Sequence, residues 1–115
     1  MAFQVKRVYE AAVSEDGYRV LVDRIWPRGL TKEKANIDLW LKDIAPSTAI
    51  RQWFKHDPHK WTEFQKRYFL ELKQHKDYVA LLRQRAKAAK VTLLYAAKEE
   101  KYNNAVALKS YLESQ

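Results

Sequence analysis

The sequence predicts an α/β fold: one compact domain over residues 1–115, with a small, mostly parallel sheet and helices packed on it. Three observations carry that expectation. The centres of two segments, VLV within 18–26 and VTLLY within 91–98, are apolar on both faces, as inner strands are. The residues between 47 and 89 carry helix start signals and helical periodicity. The link from 37–44 to 91–98 is long enough for a parallel crossover, so the order ββ(α)β-ααα-βα reads as helices layered on a sheet.

Each element has its own local reason. In FQVKRVYE (3–10), Val5, Arg7 and Tyr9 alternate with Lys6, Val8 and Glu10, the period of a strand. SEDG (14–17) is a turn, with side-chain acceptors at Ser14 and Asp16 and positive φ available at Gly17. YRVLVDRIW (18–26) is the second strand; one face carries Tyr18, Val20, Val22, Arg24 and Trp26, the other Arg19, Leu21, Asp23 and Ile25. Pro27-Arg28-Gly29 breaks it, and Thr31 caps a short helix from Lys32, with Glu33 near its positive end. IDLWLKDI (37–44) fits a strand through Ile37, Leu39 and Leu41 and a helix through Ile37, Trp40, Leu41 and Ile44; Asn36 and Pro46 favour the strand. Ser47 caps a helix through TAIRQWF. Asp57 and Pro58 start a second over HKWTEFQKRYFLELK, with Trp61, Phe64, Tyr68 and Leu72 on one face. Asp77 opens a third, burying Tyr78, Val79, Leu82, Ala86 and Ala89. VTLLYAAK (91–98) is the central strand, and Asn103 or Asn104 caps a last helix that buries Ala105, Leu108, Tyr111 and Leu112.

Composition excludes several function classes. The chain has no cysteine, which removes disulfides, thiolate catalysis and thiolate zinc sites. The opening MAFQVKRVYE lacks the basic head and apolar run of a signal peptide. No apolar run approaches the ~18 residues of a membrane span. A cytoplasmic protein with no membrane partner is therefore expected. The net charge of +8 is concentrated: residues 51–90 hold eleven basic and four acidic side chains. The plain reading is a solvated helical face; the sharper one is attraction to polyanions or acidic substrates.

In open α/β sheets, ligands sit beyond the carboxyl ends of the strands. The second strand ends in Asp23 and Arg24, with Arg28 in the turn beyond. The strand at 91–98 ends in Lys98 and Glu99, with Asn103 and Asn104 at the next helix start. If the strands are parallel, both clusters share one rim, and cations, a carboxylate and helix N-terminal amides there suit a phosphate or another anion. The competing reading is a salt bridge of Asp23 with Arg24 or Arg28 that staples the strand end. Arg28-Gly29-Leu30-Thr31 lacks the glycine spacing of a P-loop. In HDPH (56–59), Asp57 is explained as a helix cap and the histidine spacing is loose, so no metal is expected. His56 is a candidate acid or base because imidazole titrates near neutral pH. Ser47 and Thr48 have no visible base, and the four tryptophans lack the spaced pattern of a single-strand nucleic-acid platform.

The blocks GYRVLVDRIWPRGL, DLWLKDIAPS, WFKHDPHKWTEFQKRYFLEL and VTLLYAAKEEKYNNAVALK, in that order, resemble the YeaO-like family of small bacterial proteins, domain of unknown function 488. Members often read Lys-Asp where this chain has Lys98-Glu99, an acid retained with one more methylene. The resemblance implies a compact α/β domain in a bacterial cytoplasm and no particular reaction. It places a shared pocket at DRIWPRG and AAK…NN. The resulting expectation is a small enzyme, or a ligand-binding relic of one, for a phosphorylated or nucleotide-like molecule. Arg24, Arg28, Lys98, Asn103 and Asn104 would hold the anion, with Asp23 and His56 as acid–base candidates and no cofactor. The rival is a nucleic-acid-binding or regulatory module that uses the basic helices of 51–90.

Overall fold

A computed structural model describes residues 3–114. Four strands form one sheet: β1 (Phe3–Arg7), β2 (Tyr18–Leu21), β3 (Leu39–Trp40) and β4 (Val91–Tyr95). Their order is β1-β4-β2-β3, and every pairing is parallel. The most apolar segment, β4, is therefore the inner strand flanked by β1 and β2, and all five of its residues are buried. The helices are α1 (Lys32–Ala35), α2 (Thr48–Phe54), α3 (Trp61–Leu72), α4 (Lys76–Ala88) and α5 (Asn104–Glu113). The path from β3 through α2, α3 and α4 to β4 is the parallel crossover that the sequence required.

The sheet divides two apolar clusters of unequal size. Val20, Val22, Val91, Leu93 and Tyr95 pack with Phe54, Phe64, Tyr68, Leu72, Leu82 and Leu108 of α2, α3, α4 and α5. The opposite cluster joins Leu21 and Leu94 to Val8, Ala35, Trp26 and Leu30. Tyr68 is fully buried, and its hydroxyl donates to the Ile44 carbonyl at 2.8 Å, so the large ring enters the core without an orphaned polar atom. Burial pushes its phenol far above the ordinary tyrosine range. Among the described residues no helix is long and apolar enough to cross a membrane.

The caps follow local chemistry. Thr31, Ser47 and Asn103 accept from the backbone N–H groups of Lys34, Ile50 and Val106. Asp57 accepts from His59 N at the start of a 3-10 turn led by Pro58. Asp77 lies inside α4, whose cap position is His75; an acid in the first turn suits the helix dipole as well as a cap would.

Three elements are shorter than their patterns. The region 37–44 combines both readings: extended at Leu39–Trp40, then a 3-10 turn at Lys42–Ile44 that buries Ile44. The first strand stops at Arg7, where a turn bonds Glu10 N to Arg7 O. The second stops at Leu21 although Val22 N still reaches Leu94 O. One residue later the ladder passes to a side chain: Ala96 N donates to the Asp23 carboxylate at 2.8 Å. Alternation therefore fails beyond Val22, and Trp26 joins Leu21's cluster rather than that of Val20 and Val22.

At the N-terminal rim of the sheet, the turn before β2 is a polar knot. The Asp16 carboxylate pairs with Arg19 and with Lys6 at 3.0 Å, and the Asp16 and Arg19 side chains are 2% and 3% exposed. Arg19 also donates to the carbonyls of Ala35 and Asn36. Gly17 sits at φ 67, ψ −131, and a Cβ there would lie 2.3 Å from the Lys90 carbonyl oxygen. That carbonyl accepts from Tyr18 N, so glycine is what lets β2 enter beside β4.

Candidate functional site

Because β2 and β4 are parallel neighbours, their carboxyl ends meet on one rim. Asp23 and Asn104 join them. Asn104 Nδ2 donates to Val22 O at 3.0 Å and to Asp23 Oδ1 at 3.1 Å, while Asp23 Oδ2 accepts from Ala96 N. Burial raises the Asp23 carboxyl above its ordinary pKa; the bonds from Ala96 and Asn104 and the nearby Arg51 and His56 oppose that shift without cancelling it.

Above this junction lies a cleft of about 470 Å3, within the ~300–1,000 Å3 of small-molecule sites. Asp23, Trp26, Arg28, Arg51, Gln52, His56 and Asn104 line it, together with Phe54 and Phe64. The two phenyl rings are stacked at 4.1 Å between centroids. The polar tips of the other aromatics are already engaged: Trp26 Nε1 donates to Leu30 O, and the Tyr9 hydroxyl donates to Arg28 O. Tyr9 thus anchors the backbone of the turn that carries Arg28.

The segment after α2 delivers His56. Lys55 and His56 both occupy left-handed backbone, at φ 49 and φ 57, a conformation that costs a non-glycine residue about 1–3 kcal/mol. His56 Nδ1 lies 2.8 Å from Tyr102 O. A carbonyl only accepts, so Nδ1 carries the hydrogen, and Nε2 is the ring nitrogen without a partner among the described residues.

Four of the seven sequence-selected site residues, Asp23, Arg28, His56 and Asn104, line the cleft, and three do not. Arg24 turns away to donate to Ala45 O at 3.0 Å and lies 3.7 Å from Asp43. Lys98 is exposed on the segment after β4 and has no ion pair among the described residues. Asn103 is fully buried, accepting from Val106 N and donating to Glu99 O, so it builds the start of α5. Glu99 accepts from the Lys101 and Tyr102 amides, which hold its carboxyl below the ordinary range.

The motif pattern does not single out Arg51, which stands in the basic stretch 51–90. It lies one turn before Phe54 on α2, so it borders the core edge of that helix. Its Nε is buried without a hydrogen-bond partner among the described residues. The available signal was this i, i+3 relation to a core phenylalanine.

The family model described as "Inactive DUF488-N3 subclade" matches residues 2–115. The uncharacterised protein YeaO of Escherichia coli K12 is 43% identical over 114 residues, 99% of either chain. An uncharacterised protein of Mycobacterium bovis is 49% identical over 69 residues, 60% of this chain and 58% of its own. A Mycobacterium tuberculosis H37Rv protein, also called uncharacterised, matches to the same extent. No solved structure matches the chain.

Proposed function

The chain belongs to the YeaO-like DUF488 family, and from that premise we propose that it binds a small phosphorylated or nucleotide-like molecule in the cleft at the C-terminal rim. The observation that carries this reading is Arg51: a cleft-lining guanidinium whose side chain makes no ion pair or hydrogen bond among the described residues. An anionic oxygen in the cleft would give this guanidinium the charge-assisted hydrogen bonds that no protein group supplies. Arg28 adds a second cation at the turn, and Asn104 and Asp23 hold the cleft's base. The family's description as an inactive subclade favours binding without turnover. Asp23 then serves as an acceptor fixed by two donors, and His56 as a polar wall.

The experiment is a thermal-shift titration with inorganic phosphate, sugar phosphates and nucleotides, on the wild type and on Arg51→Gln. A ligand at a hundred times its dissociation constant adds about 2.7 kcal/mol, so the wild type should shift upward by several degrees and the variant should not. No shift with any anionic ligand would remove the proposal.

One observation favours a second reading. Lys66, Lys73, Lys76, Lys87 and Lys90 are exposed on or beside α3 and α4 without an ion pair among the described residues. A nucleic-acid surface there would give affinity that falls steeply with salt. Binding that persists after several of these lysines are neutralised would set that reading aside.

A further inference from the structure

The cleft's inventory of donors, acceptors and rings restricts the ligand more narrowly than charge does. This inference rests on the binding reading above and sharpens its ligand class. Two lining groups are donors, Arg51 and Arg28, whose side chains make no ion pair or hydrogen bond among the described residues. Two others are acceptors. His56 donates its Nδ1 hydrogen to Tyr102 O, so that in the neutral imidazole Nε2 is an acceptor. Asp23 receives one hydrogen bond at each carboxylate oxygen and keeps further acceptor capacity. The remaining lining is largely apolar and aromatic, from Trp26, Pro27, Pro46, Phe54 and Phe64.

Inorganic phosphate would satisfy the arginines and leave the acceptors without hydrogen donors. A neutral ring compound would do the reverse. We propose that the cleft selects a phosphomonoester that also carries hydroxyl or amine donors and a planar ring, the nucleoside monophosphate class. The phosphate would lie at Arg51 and Arg28. Hydroxyl or amine hydrogens would meet His56 Nε2 and Asp23, and the ring would cover the apolar wall. A cleft of about 470 Å3 suits one such molecule.

The test is calorimetric titration of the full chain with four probes: inorganic phosphate, ribose 5-phosphate, a nucleoside, and each common nucleoside monophosphate. At least one nucleoside monophosphate should bind tightest. Ribose 5-phosphate should be weaker by at least about fivefold, the lower end of what base–aromatic stacking contributes. The nucleoside should be weaker by at least about tenfold, through loss of the charged contacts. His56→Asn is the informative variant. Asparagine tolerates left-handed backbone, and its side-chain amide can replace Nδ1 against Tyr102 O while Nε2 disappears. It should weaken the nucleoside monophosphate about three- to tenfold and leave inorganic phosphate unchanged.

Ribose 5-phosphate binding as tightly as every nucleoside monophosphate would overturn this inference and leave the anion cleft standing. Equal binding of the neutral nucleoside would overturn the anion reading itself. Silence from all four probes would overturn both.

Discussion

The two rims of the sheet use the same kinds of residue to opposite ends. At the N-terminal rim, Asp16, Lys6 and Arg19 pair with one another, and Arg19 donates onward to two carbonyls. Gln4 and Thr92 complete the knot: Gln4 Nε2 reaches Asp16 and Thr92, and the Thr92 hydroxyl donates to Asp16 O. At the C-terminal rim, Asp23 is held by an amide and by Asn104, while Arg51 and Arg28 form no ion pair among the described residues. Satisfied charge fixes a fold, whereas a cation left without an acceptor is what a ligand can exploit. The difference lies in partners, since residue types barely distinguish the rims.

The comparison breaks most visibly at Asp16. Asp16→Asn leaves Arg19 and Lys6 without their carboxylate, so denaturant unfolding should show a loss of about 3–5 kcal/mol. A loss below about 1 kcal/mol would mean that this rim is not held by its ion pairs. Gly17→Ala comes next, at about 3 kcal/mol, because alanine is strained at φ 67 and its Cβ meets the Lys90 carbonyl. A neutral result would show that the entry of β2 can shift.

Acid titration separates the rims by sign. Burial alone would raise the Asp16 pKa, but the Val13 amide, Lys6 and Arg19 together lower it. Its stabilisation is therefore present above the ordinary carboxylate pKa and lost as pH falls through the lower folded value. Asp23 is the reverse: its folded pKa is raised, so its contribution is greatest below the ordinary value and declines as pH rises through the folded one. Stability measured against pH should show Asp16→Asn removing the acid loss. Asp23→Asn should gain on the wild type as pH rises through the same region. Parallel curves for the two variants would erase the distinction. The smallest stability effect belongs to Arg51→Gln, within about 0.5 kcal/mol in chemical denaturation, even as anionic ligand binding is lost. A large destabilisation would make Arg51 a structural residue like Arg19.

Patterns local in the chain were the readable ones. The caps at Thr31, Ser47, Asp57 and Asn103 depend on side chains within three residues of the N–H groups they satisfy. The inner position of β4 depends on apolar residues facing both ways. Extrapolation failed where periodicity outran hydrogen bonding. The alternation of 18–26 placed Arg24 and Trp26 on one face with Val20 and Val22, but the ladder passes to the Asp23 carboxylate, and the chain turns there. Arg24 then meets Ala45, and Trp26 meets Leu30. In the same way, Arg51 and Lys98 look alike as basic residues after an apolar neighbour. One borders a core phenylalanine and lines the cleft, while the other stands in solvent.

The sequence by itself determined the α/β class, the inner strand, the caps at Thr31, Ser47, Asp57 and Asn103 and the family, because periodicity, capping and motif order are properties of neighbouring residues. Only the tertiary structure decided which charges are satisfied. Asp16 finds Lys6 ten residues away, Asp23 finds Asn104 eighty-one residues away, and His56 finds Tyr102 across forty-six. Whether a buried charge stabilises the fold or waits for a ligand depends on such distant partners, and the fold alone brings them within a hydrogen bond's length.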